Sequence, residues 1–221
     1  MKSKLPGAPV SIFAVMSALA REHNAINLSQ GFPDFDLDPE LIELMDMNMR
    51  AGNNQYAPMT GVQQLREVIS EKIFRDYGRQ YDPNNEINIT SGATQALFTA
   101  FNSFVFPGDE VVVIEPAYDS YIPSIVLNGG IPVAVPLEEN FRYDWDRIKS
   151  AVSSKTAMIV LNSPHNPLGT VFHDDDISAL VEITKDTDII ILSDEVYEHI
   201  IFDGRTHLSM ARYPELAERS I

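Results

Sequence analysis

Thr156-Ala157-Met158-Ile159-Val160-Leu161 leads into Asn162-Ser163-Pro164-His165-Asn166-Pro167-Leu168-Gly169, and Asp188-Ile189-Ile190-Ile191-Leu192-Ser193 leads into Asp194-Glu195-Val196-Tyr197. These two passages decide the fold. Asp194 lies 25 residues after Gly169, and the stretch between is helical in pattern. Two β-rich runs separated by a helix predict parallel neighbours in an α/β sheet. Polar groups at the carboxyl ends of such strands converge where ligands bind.

The same alternation runs through most of the chain. Glu110-Val111-Val112-Val113-Ile114 predicts a buried strand ending at Glu115-Pro116, and Ile131 to Leu137 predicts another. Glu86-Ile87-Asn88-Ile89-Thr90 alternates as a strand should. Helices are predicted over 38–51, with Leu41, Leu44, Met45 and Met49 on one face, and over 62–77, with Leu65, Ile69, Ile73 and Phe74. Others are predicted from Ser91-Gly92-Ala93-Thr94 through Phe104, and over 120–127, 144–152 and 175–184. This order predicts an α/β fold, a mostly parallel sheet flanked by helices. Arg219-Ser220-Ile221 reads as the first residues of a further strand. Residues 1–36 read as an arm, with one short amphipathic helix behind Pro6-Gly7-Ala8-Pro9. The arm gives way between residues 36 and 50. The expected division is an N-terminal arm with part of a small domain over 1–45, and a large domain over 46–221.

Composition narrows the function classes. The 32 acidic residues outnumber the 16 basic ones, for a formal charge of −16. Such a surface repels nucleic-acid backbones and anionic membranes. There is no cysteine, which excludes disulfides, thiolate metal sites and a cysteine nucleophile, and fits a reducing cytoplasm. Lys2 and Lys4 before Val10 to Ala20 loosely imitate a signal peptide, but Pro6 and Pro9 interrupt the transition and favour a plain helix. No apolar run is long enough to span a bilayer. The five histidines form no metal-spaced pair or cluster, and read as surface or core residues.

Candidate site residues sit at strand ends. An amide, a carboxylate and a phenol (Asn166, Asp194 and Tyr197) suit a planar heteroaromatic cofactor with a ring nitrogen and a ring oxygen. Asp194 is either an ordinary N-cap or core partner, or a carboxylate that keeps a pyridine nitrogen protonated. Tyr197 either bonds a ring oxygen or is a half-buried core tyrosine. Asn166 lies in a plain turn or aims its amide at a phenolate oxygen. Ser91-Gly92-Ala93-Thr94-Gln95-Ala96 is an N-capped turn, or a phosphate cradle of free N–H groups at a helix start. It is neither a dinucleotide fingerprint nor a Walker sequence. Tyr118 either fills space or stacks on a flat ring.

Taken together, these phrases resemble the class I, fold-type I, pyridoxal-phosphate-dependent aminotransferases, in the branch of the methionine and kynurenine/glutamine aminotransferases. The resemblance covers essentially the whole chain. It is carried by Met16-Ser17-Ala18-Leu19-Ala20, Ile26-Asn27-Leu28-Ser29-Gln30-Gly31-Phe32-Pro33-Asp34-Phe35, Asn54-Gln55-Tyr56-Ala57-Pro58-Met59-Thr60-Gly61 and Ser193-Asp194-Glu195-Val196-Tyr197-Glu198-His199-Ile200. It implies that Asp194 pairs with the pyridine nitrogen of pyridoxal 5'-phosphate, and that Tyr197 and Asn166 bond its 3-oxygen. Ala93 and Thr94 would hold the phosphate through their backbone, and Tyr118 would stack on the ring. Tyr56 would reach the phosphate in the other subunit of a homodimer, and Gly31 would line the substrate carboxylate pocket. The implied reaction moves an amino group from an amino acid, with a methionine, aromatic or glutamine-like donor, to a 2-oxo acid.

One departure stands out. The family's lysine, which forms the Schiff base with the cofactor and moves the α-proton, follows the pyridine-binding Asp. This chain runs 27 residues past Asp194 without a lysine, and Lys155 and Lys185 precede it. The resemblance therefore places the catalytic lysine beyond Ile221 and implies a truncated chain, inactive alone. Two alternatives are a carbon–sulfur β-lyase of the same fold, and a natural short form acting as a non-catalytic binding or dimerising module.

Overall fold

The computed structural model describes residues 2–5, 10–31, 33 and 35–221. The Pro6-to-Pro9 entry, Phe32 and Asp34 lie outside the described residues. Contacts divide the chain into a smaller unit, Gly7–Met59, and a larger one that includes Thr60–Ile221.

In the smaller unit lie two helices, α1 (Ile12–Glu22) and α2 (Pro39–Arg50). Asp38 caps α2 by accepting from the Glu40 N–H at 2.9 Å, and Pro39 sits at the first helical position, where its missing N–H costs nothing. Neither helix has a buried residue, and Leu41, Leu44, Met45 and Met49 are all exposed. The helix at 38–51 forms as its periodicity predicts; the stripe on it stays uncovered among the described residues.

The larger unit is built on β1 (Glu110–Glu115), β2 (Ile131–Pro136), β3 (Thr156–Asn162) and β4 (Ile190–Asp194). All pairings are parallel, in the spatial order β2-β1-β3-β4. Val112 faces Val133 on one side and Ile159 on the other, and Asn162 faces Asp194 at the last rung of β3 and β4. Helices α3 (Gln63–Tyr77), α4 (Ala93–Phe104), α5 (Tyr121–Leu127), α6 (Trp145–Ala151), α7 (Asp174–Thr184) and α8 (Pro214–Ala217) complete the unit. A 3-10 turn, Met210–Arg212, precedes α8.

β1, β3 and β4 are apolar at nearly every position because both faces are covered, whereas β2, at the edge, is buried only at Val135. Successive side chains point to opposite faces. Val112, Ile114, Ile159, Leu161 and Ile191 pack with Ile148 of α6, Ile177 and Leu180 of α7 and Leu216 of α8. Val111, Val113, Met158, Val160 and Leu192 pack instead with Leu97 and Phe101 of α4 and Tyr121 and Ile125 of α5. Gly130 marks where one connection runs tight: a Cβ there would lie 2.5 Å from a Val105 methyl and 2.9 Å from one of Ile125. At the start of α7 the buried Asp176 accepts from the His173 N–H at 2.8 Å, from Trp145 Nε1 at 2.7 Å and from Arg142 Nη2 at 3.2 Å.

Residues 86–90 do not form the predicted strand. The backbone there makes one bond across the chain, from the Ile89 N–H to the Thr60 carbonyl at 3.0 Å, and no strand of the sheet lies beside it among the described residues. Alternation reports which side chains face inward; a strand also needs a partner for its backbone groups. Arg219-Ser220-Ile221, by contrast, pairs along the open edge of β4. Ser220 bridges Ile191 in parallel, and the Ser193 N–H donates to the Ile221 carbonyl at 2.9 Å.

Candidate functional site

The strand order reverses direction between β1 and β3, since β2 lies on one side of β1 and β3 on the other. In such sheets a crevice opens beyond the carboxyl ends at the switch point. A cavity of about 160 Å³ lies at these carboxyl ends, lined by Ala93, Thr94 and Leu97 of α4, by Tyr118 after β1, and by Asn162, Asn166, Asp194, Val196 and Tyr197 after β3 and β4. Six residues singled out in the sequence — Ala93, Thr94, Tyr118, Asn166, Asp194 and Tyr197 — thus meet in one place. Gly31 and Tyr56 belong to the smaller unit, where both are exposed.

Each wall follows from local chemistry. Gly92 has φ +83°, a conformation that L side chains rarely adopt, and it turns the chain into α4. No side chain caps α4, so the first N–H groups, on Ala93 and Thr94, have the character of an open anion site. Gln95 Oε1 instead takes the Ser91 N–H at 2.6 Å and secures the turn before the helix. Thr94 Oγ1 lies 3.4 Å from the Tyr118 hydroxyl across the cavity.

At the β4 end, Asp194 Oδ2 accepts from the Tyr121 hydroxyl at 2.6 Å, and Oδ1 from the Val196 N–H at 3.3 Å. Burial, then the Asp194 charge and its hydrogen bond, push the Tyr121 phenol far above its ordinary range, so it stays a donor. Tyr121 packs edge-on to Tyr118, with ring centroids 5.7 Å apart. Asn166 Nδ2 donates to the Tyr197 hydroxyl at 3.4 Å. Asn162 spans the two strand ends: its Nδ2 donates to the Asp194 carbonyl at 2.8 Å, and its Oδ1 accepts the Asn166 N–H at 2.7 Å.

Next to Asn166, His165 is buried. Burial lowers its pKa, and a hydrogen bond with the Pro116 backbone only partly opposes this.

Tyr121 and Asn162 escape a reading of the sequence alone. Tyr121 sits in the apolar run Tyr121-Ile122-Pro123-Ser124-Ile125 and looks like core. Its one signal is the spacing from Tyr118: three residues apart on a turn, the two rings share a side. Asn162 ends a strand whose other residues are apolar, and an amide there must find partners once buried.

The family described as aminotransferase class I and II matches residues 23–220, and the chain belongs to it. Methionine aminotransferase of Escherichia coli (strain K12) is 48% identical over all of this chain and 57% of its own length. The solved structure of the Escherichia coli protein YbdL, identified as a methionine aminotransferase, superposes with a TM-score of 0.96, covering 100% of this chain and 58% of its own. N-succinyldiaminopimelate aminotransferase of Mycobacterium tuberculosis superposes at 0.95 with 40% identity, covering 100% of this chain and 58% of its own. The chain therefore spans a little over half the length of the relatives it matches.

Proposed function

We propose that the cavity binds pyridoxal 5'-phosphate, and that the whole protein transfers an amino group from an amino acid to a 2-oxo acid. The observation that carries this reading is the convergence of a carboxylate, an amide–phenol pair, an aromatic ring and an uncapped helix start on one cavity. That donor set fits the group. The carboxylate suits a protonated ring nitrogen, the amide–phenol pair an anionic ring oxygen, and the helix start a phosphate. When bound, the cofactor supplies an electron sink that draws off charge from the carbon losing its proton.

The residues of this chain perform the holding. Asp194 would keep the proton on the ring nitrogen, and Tyr121 holds its Oδ2 in place. Asn166 and Tyr197 would bond the ring oxygen, and the Ala93 and Thr94 N–H groups the phosphate. Tyr118 would cover one ring face and exclude water from it. Tyr56 of a second copy and Gly31 would complete the phosphate and substrate-carboxylate contacts in a homodimer. Methionine, aromatic or glutamine-like amino acids are the proposed donors; the similarity to methionine aminotransferase favours methionine. The lysines of this sequence are Lys2, Lys4, Lys72, Lys149, Lys155 and Lys185, and none lines the cavity. The 221 residues are therefore proposed to bind cofactor without turning over. Lack of cysteine and the acidic surface suit a cytoplasmic enzyme.

The test is uptake of pyridoxal 5'-phosphate with visible absorbance and dichroism, then amino transfer from methionine to a 2-oxo acid by the whole protein. Absence of uptake sinks the reading. Pyruvate and ammonia formed from cystathionine without an oxo acid would replace transfer by β-elimination.

A further inference from the structure

The segment after β4 has two sides. Asp194 and Tyr197, three residues apart, line the cavity. Glu195 and Glu198, also three apart, make their bonds to other parts of the protein. Glu195 Oε1 accepts from the Ser193 hydroxyl at 2.8 Å and from the Met210 N–H at 3.0 Å, and Oε2 lies 2.7 Å from His207 Nε2. His207 is 6% exposed and packs edge-on to Tyr77 of α3, ring centroids 6.0 Å apart. Glu198 Oε1 takes Lys72 Nζ at 2.9 Å, and Oε2 takes the Tyr77 hydroxyl at 2.5 Å. Burial opposes ionisation of Glu198, but the Tyr77 and Lys72 bonds outweigh it and hold its carboxyl below the usual range. The backbone between is a tight turn, with the Glu198 N–H bonded to the Glu195 carbonyl at 2.9 Å and the Ile200 N–H to the Tyr197 carbonyl at 2.8 Å.

We propose that Glu195 and Glu198 are positioning residues: two carboxylate pegs that fix the turn from behind, so that Asp194 and Tyr197 meet the cofactor at a set spacing. The inference rests on the reading of the cavity given above. The physical case is one of leverage. Tyr197 receives one 3.4 Å bond within the cavity, from Asn166, which is too little to fix a side chain in a turn. The pegs supply charge-assisted bonds on the opposite side, to α3 and to the Ser209-Met210 turn. His207 belongs to this device. The sequence gives no metal or catalytic pattern for it, and its contacts are those of a support for Glu195.

The experiment uses the full chain as wild type, Glu195→Ala, Glu195→Gln, Ser193→Ala and Tyr77→Phe. Titration with pyridoxal 5'-phosphate, followed by visible dichroism, gives affinity and ring orientation. Hydrogen exchange at the Glu198 and Ile200 amides is measured without cofactor, with a thermal melt as the folding control. Glu195→Ala is expected to weaken binding about tenfold or more, reduce the dichroism and speed exchange at both amides. Glu195→Gln regains most of this, because a carbonyl oxygen still accepts from Ser193 and Met210. Ser193→Ala and Tyr77→Phe, each deleting one hydroxyl, shift exchange and affinity by smaller factors. Folded Glu195→Ala with wild-type affinity and exchange overturns the proposal. If Glu195→Ala does not fold, unchanged exchange and affinity in both Ser193→Ala and Tyr77→Phe overturn it. Wild-type protein that takes up no cofactor sinks the reading of the cavity itself; wild type that binds no better than folded variants sinks only the pegs.

Discussion

The two faces of the sheet are built from the same strands with the same alternation, yet they end differently. The face packed by α6, α7 and α8 is closed by Tyr143, Phe172 and Met210 among its buried residues. The face packed by α4 and α5 stops short: α4 begins with uncapped N–H groups, and the cavity opens between that helix start and the segments that follow β1, β3 and β4. One face stabilises the unit; the other stabilises it and also aims the groups that would hold a ligand. A substitution should therefore be read by the face it touches.

The largest effects test that division. Phe101→Ala, at a fully buried site on the α4 face, should cost about 3–5 kcal/mol and also weaken cofactor uptake, because α4 carries Ala93 and Thr94. Leu180→Ala, equally buried on the opposite face, should cost about 2–5 kcal/mol with uptake by the folded protein unchanged. Urea unfolding and pyridoxal 5'-phosphate titration measure both, and equal losses of uptake would erase the distinction between the faces. Next comes Asp194→Ala, expected to weaken uptake roughly 10- to 100-fold, in line with loss of a bond to a charged group. Wild-type uptake in that variant would dismiss its assigned role. Tyr121→Phe should weaken uptake less, about 3- to 10-fold, since it removes one donor from Asp194 and leaves the carboxylate in place. A dissociation constant within twofold of wild type would mean that Asp194 needs no such brace.

The smallest effect is one of pH. Burial lowers the pKa of His165, so the unfolded chain takes up that proton more readily below about pH 6.5. Stability should then fall as pH drops from 7 toward 5, and His165→Gln should flatten that slope. Below about pH 4.5 the depressed carboxyl of Glu198 adds a further loss. A slope from pH 7 to 5 identical in His165→Gln would assign the dependence to other groups.

Most of the sheet is legible in the sequence because β1, β3 and β4 are covered on both faces, which leaves unbroken apolar runs. The cavity is legible because polar residues follow those runs at Asn166 and Asp194. Residues 86–90 mislead because alternation carries no information about a backbone partner. Met210–Arg212 and α8 are too short for any periodicity, although Pro214 at the first position of α8 is a start signal. Tyr121, His207 and Glu195 elude reading because their partners lie 73, 12 and 15 residues away, set by the packing of separate elements.

Asn162 gives the site its tolerance. One side chain bridges the last carbonyl of β4 and the loop bearing Asn166, so the gap between two halves of the cavity equals the reach of a single amide. Glutamine would keep both functions and lengthen that reach by one bond, about 1.5 Å. An error of about 1 Å in such a constellation can cost about a hundredfold in rate. The position therefore behaves as a gauge block: its chemistry is common to two residues, and its length admits one.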